Sequence, residues 1–145
     1  MLSLRSSALL VLAIFSSLTT AADAPKTFDN QYKAKLYGFN ITVTNRLTKT
    51  ADNQYDLLFK AESIIGSITE QSKMQWNATQ QTISPLHYSY ARRGLGKDRT
   101  AELSFDWKNK SVTNNVQKTS WQMDIAQKVQ DKLSYQIQMQ QDLLN

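Results

Sequence analysis

The stretch from residue 86 to residue 107 has the clearest alternation of apolar and polar positions in the chain. Alternation with a period of two puts every second side chain on the same face of a β-strand. Two such strands joined by a loop that contains glycine form an antiparallel hairpin. The pattern therefore predicts a hairpin with an aromatic-rich apolar face. The positions on that face are Leu86, Tyr88 and Tyr90 before the loop and Leu103, Phe105 and Trp107 after it.

The same alternation recurs at short spacing from Phe28 to Ile125. Turn signals separate the segments at Gly38, at residues 51–53, at residues 77–82 and at residues 108–110. Consecutive strands joined by short turns predict an antiparallel meander. Because such a sheet has one apolar face, another element must cover that face.

The period changes after Lys128, where apolar residues recur at four-residue steps. This predicts a helix from about Asp131 to Leu144, with Asp131 near its start and with Leu133 and Ile137 facing the sheet. The predicted fold is mainly β: a curved antiparallel meander, like an unclosed barrel, with a C-terminal helix packed on it. A helix inside a curved sheet leaves a lined cleft. We expect Tyr88, Tyr90, Leu103, Phe105, Trp107, Leu133 and Ile137 to line it.

The first residues have the order of a secretory signal peptide. Arg5 precedes an uncharged apolar run at residues 8–15, and small residues follow up to Ala22. The apolar run is shorter than the roughly 20 residues of a membrane span. We expect a signal peptide at residues 1–22, a short linker at residues 23–27 and a single β-rich domain at residues 28–145. An uncleaved N-terminal anchor is the alternative.

Composition removes several function classes. The chain has 145 residues, a net charge of +5, one His and no Cys. This excludes disulfides and most metal or thiol chemistry, so we expect no metal, no cofactor and no enzymatic activity. Export without cysteine favours the bacterial periplasm. Glu102 and Asp106 share the polar side of one strand, where pairing with basic neighbours is a simpler interpretation than acid–base catalysis.

The hairpin loop is the strongest candidate for an electrostatic contact, because four basic residues occur there within eight positions. Guanidinium groups bind phosphates and carboxylates, and Leu95 could enter a membrane surface. A solvated loop is the alternative. Nucleic acid is not an expected partner of an exported chain. The candidate contacts with anions or a membrane are Arg92, Arg93, Leu95, Lys97 and Arg99.

The order of several short motifs resembles that of a bacterial exported family, domain of unknown function 3108. The motifs are Tyr32-Lys33-Ala34, Leu36-Tyr37-Gly38, Ser84-Pro85 with Tyr88, Ser104-Phe105-Asp106-Trp107 and Gln130-Asp131-Lys132-Leu133-Ser134. The resemblance implies an envelope protein and no particular activity. It also implies that this chain is the N-terminal part of a longer domain, whose unfinished sheet could self-associate. A naturally short member closed by its helix is the alternative.

Two functions are consistent with these features. The first is a non-enzymatic periplasmic protein that binds an apolar or lipid-like ligand in the curved sheet. The second is a structural or interaction module that docks envelope proteins through a sheet edge or the basic loop.

Overall fold

The computed structural model describes residues 23–94 and 96–144 of the chain. The predicted signal peptide and Leu95 lie outside the described residues. Eight strands form one antiparallel sheet in sequence order, and one helix follows them. The strands are β1 (Phe28–Leu36), β2 (Phe39–Ala51), β3 (Gln54–Ser63), β4 (Gly66–Asn77), β5 (Thr82–Gly94), β6 (Arg99–Asp106), β7 (Ser111–Val116) and β8 (Thr119–Asp124), and the helix is α1 (Ser134–Leu144). The predicted fold, an unclosed meander with a C-terminal helix, is confirmed.

The helix packs on one face of the sheet, which we call the inner face. Leu133 and Ile137 are each only 2% exposed, and both belong to the buried core. The prediction that these two residues point toward the sheet is therefore confirmed. The rest of the core comes from strands β2 to β5, namely Leu47, Tyr55, Leu57, Met74, Trp76 and Ile83.

The core does not lie where the alternation is clearest. Leu103 and Phe105 of β6 are only half-buried, whereas Leu57 of β3 is 1% exposed. Among the strands, the helix has its main contact with β5, so the inner face of β6 is covered less. In addition, the register between β4 and β5 shifts so that Lys73 pairs with His87 and Met74 with Pro85. Leu86 is the extra residue of this bulge and does not continue the row of Tyr88.

Asp131 fixes the start of the helix and joins it to the sheet. Its Oδ1 accepts hydrogen bonds from the backbone N–H groups of Leu133 and Ser134, both at 2.8 Å, and Ser134 Oγ accepts one from the Asp131 N–H at 2.9 Å. This reciprocal cap satisfies N–H groups that a helix start leaves unpaired. Asp131 Oδ2 accepts a further hydrogen bond from Ser72 Oγ of β4 at 2.6 Å. The cap is thus also an anchor, which explains why the helix begins after Asp131.

Side chains also replace a missing strand beside β5. Strand β6 pairs with β5 only from His87 to Arg92, so the backbone near Ile83 lacks a strand partner on that side. Gln138 Oε1 accepts from the Ile83 N–H at 2.6 Å, and Gln130 Nε2 donates to the Ile83 carbonyl at 2.6 Å. Trp107 Nε1 donates to the Pro85 carbonyl at 2.7 Å. These bonds set the helix against one end of the sheet and leave the other end of the inner face uncovered.

Candidate functional site

The uncovered end of the inner face is the candidate functional site, and we call it the open half. The strand register aligns one row of residues across it. On each strand, this row lies four positions from the row that contains Leu47 and Leu57 of the core. In order, the row contains Arg99, Arg92, Ile68, Ala61, Val43 and Tyr32. Tyr32 is 55% exposed, and the apolar residues between it and Arg92 are half-buried. An apolar surface rimmed by polar groups is typical of a binding site.

A pocket of about 310 Å³ lies where this row meets strands β5, β6 and β7. Its volume is at the small end of the range for ligand sites in proteins. Its apolar part comes from Tyr90, Ala101 and Val116, which pair with one another across β5, β6 and β7 on the inner face. The residues that line it are Tyr90, Lys97, Arg99, Thr100, Ala101, Val116 and Gln117. The pocket thus brings together two of the predicted anion contacts and one of the predicted lining residues.

The basic residues of the hairpin fall into two groups. Arg93 forms a salt bridge with Asp98 at 3.0 Å, and this guanidinium holds the pKa of the Asp98 carboxyl below its usual value. Arg92 and Arg99 face each other across β5 and β6. Directly opposed like charges destabilise a sheet. Among the described residues neither forms a salt bridge, so this pair concentrates positive charge at the end of the open half.

The Arg92 guanidinium is only partly satisfied. Its Nη2 donates to the carbonyl of Lys97 at 3.0 Å, which holds the side chain against the loop. Its Nε is buried and has no hydrogen-bond partner within residues 23–94 and 96–144. A buried donor without a partner costs free energy unless something accepts from it. Arg92 therefore carries a fixed charge with unused donor capacity.

Gly94 allows the hairpin to lie close to the preceding turn. Its φ is +66°, and a Cβ atom there would lie 2.5 Å from the carbonyl oxygen of Ile65. Any other residue would collide with that backbone and would strain a left-handed conformation. Glycine at this position keeps β5 against the β3–β4 turn, so the basic residues stay beside the open half.

A polar cluster around the buried Glu70 separates the open half from the core, and its Lys132 side chain is 66% exposed. Glu70 is 2% exposed, and its carboxylate accepts from Lys132 Nζ at 2.6 Å and from the Tyr88 hydroxyl at 2.9 Å. Burial raises the pKa of the Tyr88 hydroxyl, and the hydrogen bond to Glu70 raises it further. The phenol therefore stays protonated and donates to the carboxylate. Each member has a partner inside the protein, which fits a cluster that fastens α1 to the sheet.

Sequence analysis did not single out Glu70 or Ser72. Both occupy positions of β4 whose side chains face inward, between Ile68 and Met74. Their polarity in an otherwise apolar row was the available signal. It could not identify their partners, because Lys132 and Asp131 lie about 60 residues further along the chain, at separations of 62 and 59.

The remaining lining candidates lie at the opposite end of the inner face. Phe105 and Trp107 stack with ring centroids 6.0 Å apart and an interplanar angle of 10°. Trp107 also borders a cleft of about 510 Å³, whose other lining residues include Ser84 and Lys128. Tyr88 packs against the core between the two ends. The structure therefore divides the predicted lining between the core, the open half and this second cleft.

Neither a metal centre nor a membrane-spanning helix occurs in the described part of the chain. Residues 23–94 and 96–144 contain no group of three or more His, Asp or Glu side chains that could hold a metal ion. In the same residues, no helix has the length and hydropathy needed to cross a membrane. His87 lies half-buried on β5, beside the bulge.

Comparison with known proteins gives one match. The family model described as "Protein of unknown function (DUF3108)" matches residues 31–144. The match covers every strand and the helix apart from the first residues of β1. No curated protein and no solved structure has a significant match to the chain.

Proposed function

The chain belongs to the DUF3108 family of proteins of unknown function, and we propose that it is a non-enzymatic envelope protein that binds an apolar, lipid-like ligand. The binding site in this proposal is the open half of the inner face. The observation that carries it is the uneven cover of the sheet. The helix seals the end around Leu57, but Ile68, Ala61 and Val43 remain accessible beside a pocket of about 310 Å³.

The hydrophobic effect would hold an apolar ligand on the open half. Removing apolar surface from water contributes about 25 cal/mol for each Å² buried. A folded protein gains by covering such a surface, and a ligand with an acyl chain can cover it without a change in the strands. The polar cluster of Glu70, Tyr88 and Lys132 limits how far a ligand can enter. The ligand would therefore lie on the open half and leave the core intact.

The proposed location is the periplasm. It rests on the order of Arg5, the apolar run and the small residues before Asp23, together with the absence of cysteine. N-terminal sequencing of the protein from an envelope fraction tests it. We expect a mature chain that begins near Asp23. A chain that begins at Met1 and stays in the cytoplasmic fraction would contradict this part of the proposal.

A second function, docking of an envelope protein, is favoured by strand β8. All six residues of β8 are exposed, and among the described residues it pairs only with β7. Its inward-facing Trp121 and Met123 are 44% and 43% exposed. An unpaired strand edge can accept a strand from another protein. The proposed ligand site does not use this edge, so the two functions can be tested separately.

The test fills the open half with a large side chain. Ala61→Trp places an indole on the inner face, in the row of Val43 and Ile68. Ala91→Trp is the matched control, because Ala91 lies on the opposite face of the sheet, on strand β5. Native mass spectrometry of the protein from the envelope, followed by titration with a fluorescent fatty-acid probe, measures occupancy. We expect Ala61→Trp to lose bound ligand and probe binding, and Ala91→Trp to retain both.

Thermal melts of both variants accompany the titration. Equal probe binding by the two variants would contradict a site on the open half. An empty wild-type protein that binds no probe but captures a strand through β8 would favour the docking function instead.

A further inference from the structure

We infer that the ligand is an anionic amphiphile with one acyl chain, whose acidic head group lies against Lys97, Arg99 and Arg92 and whose chain runs over Ile68, Ala61 and Val43. This inference rests on the proposed function and specifies the ligand class. It follows from the register of the strands, which places the cations and the apolar residues in one continuous row.

Positive charge is concentrated at the hairpin end of the row. Arg92 and Arg99 are directly opposed on the inner face, and Lys97 lines the same pocket as Arg99. The nearest acidic side chain of the loop, Asp98, is already paired with Arg93. Asp98 also attracts Arg92 electrostatically, but among the described residues neither Arg92 nor Arg99 forms a salt bridge with a carboxylate. An anion between the two guanidinium groups would reduce their repulsion and could accept charge-assisted hydrogen bonds from Arg99, which is exposed.

The apolar residues of the row provide a path for the chain of the ligand. From Arg92 the row continues through Ile68 on β4, Ala61 on β3 and Val43 on β2. Neighbouring strands lie about 4.8 Å apart, so three strand spacings span about 14 Å. Beyond Val43, Tyr32 on β1 is exposed at the end of the row. An acyl chain of medium length can follow this path, whereas a bare anion would leave it uncovered.

The distribution of charge along the row sets the orientation of the ligand. The other end of the row is uncharged, because Val43 and Tyr32 face inward there and alternation along β1 puts Lys33 and Lys35 on the outer face. Among the described residues of this row, Arg92 and Arg99 are therefore the only cations. The head group is expected at the hairpin, and the chain is expected to point across the sheet toward β1.

The experiment compares ligands that share one chain and differ in the head group. Laurate is anionic, 1-monolauroylglycerol is neutral and dodecyltrimethylammonium is cationic. Binding to the full mature protein is measured by calorimetry below the micellar concentrations. We expect laurate to bind on the order of tenfold more tightly than the neutral ligand, which is the size that charge-assisted hydrogen bonds give. The cationic ligand should bind more weakly than the neutral one.

A pair of double variants isolates the head-group contact. Lys97→Gln with Arg99→Gln removes two charges from the pocket, and Lys73→Gln with Lys108→Gln removes two exposed charges outside it. The first pair should abolish the preference for laurate and leave binding of the neutral ligand unchanged. The control pair should retain the preference. Equal loss in both pairs would mean that only the net charge matters, which would overturn the inference.

Two further measurements exclude other sources of an acidic group. Inorganic phosphate that binds as tightly as laurate would indicate a site for a bare anion. Binding to vesicles of anionic phospholipid that Ala61→Trp leaves unchanged, without laurate binding, would indicate a membrane contact through the loop. Either result would overturn the inference. Equal binding of laurate and the neutral ligand would also overturn the inference but would leave the proposed function intact. If no acylated ligand binds, the inference and the proposed function are both contradicted.

Discussion

Tyr88 illustrates how one hydroxyl can join the sheet to its helix. Its ring packs against the core, and its hydroxyl donates to Glu70, which in turn holds Lys132 just before α1. Glu70 is buried, so removing one of its hydrogen-bond donors leaves part of its carboxylate unsatisfied and costs free energy. The three side chains are therefore expected to act together.

The raised pKa of Tyr88 predicts a loss of stability in alkali. In the unfolded chain a tyrosine ionises near pH 10. Burial and the bond to Glu70 favour the protonated form in the folded protein. The resulting stabilisation is present below that unfolded pKa and is lost as the pH rises above it. Urea melts between pH 8 and pH 11 measure the loss.

Tyr88→Phe is the variant that checks this assignment. It should be less stable than the wild type at pH 8, because Glu70 loses a donor, and its stability should fall less steeply above pH 10. Parallel curves for the two proteins would show that Tyr88 does not cause the alkaline loss.

The α1 helix depends on contacts outside itself. It has 11 residues, and helices of this length are marginal in water without packing. Leu133 and Ile137 provide the packing, and Asp131 provides the cap. Gln138 and Gln130 add the hydrogen bonds that a neighbouring strand would otherwise make to β5. The position of the helix is set by these specific bonds as well as by apolar contact.

Asp131→Ala should destabilise the protein through two losses. Removing a side-chain cap costs about 0.5–2 kcal/mol. The Ser72 hydroxyl, which is fully buried, also loses its acceptor, and an unsatisfied buried group costs about 1–3 kcal/mol. The free energy of unfolding, measured in urea, should fall by the sum of these terms.

A double-mutant cycle with Ser72→Ala separates the two losses. Ser72→Ala removes the hydroxyl that Asp131→Ala leaves unpaired, so the double variant should be more stable than the sum of the single effects implies. Contacting residues typically show a coupling of about 0.5–3 kcal/mol. Additive effects would mean that the bond between the two side chains does not anchor the helix.

At the scale of the whole molecule, the sheet has two unpaired edges among the described residues, since β1 pairs only with β2 and β8 only with β7. The β8 edge also presents exposed Trp121 and Met123. Natural sheets usually protect such edges with charges, bulges or a covering element. Here β8 has one charged residue, Asp124.

We therefore predict that the protein self-associates through β8 as its concentration rises. Met123→Lys adds a charge to the inner side of this strand and should shift the sedimentation profile toward the monomer. Gln122→Lys is the matched control on the other face, because side chains alternate along a strand. A wild-type protein that stays monomeric at high concentration would contradict the prediction.

The sequence by itself determined the local structure. Alternation specified each strand, and the four-residue period specified the helix. Gly38 and Asn53 adopt the left-handed backbone conformation that glycine and asparagine tolerate in turns. The cations of the hairpin loop and the aromatic row of Tyr88 and Tyr90 were also recognisable. These features depend on neighbours in the chain, so a linear pattern contains them.

Only the tertiary structure decided where the core and the site lie. Alternation gives each strand two faces but does not say which part of the inner face the helix covers. That choice depends on Asp131 with Ser72 and on Gln138 with Ile83, which are far apart in the chain. The same distant contacts leave Ile68 and Ala61 uncovered, and strand register then places Arg92 and Arg99 beside them. Burial and pairing are properties of the assembled sheet, so no single stretch of sequence encodes them.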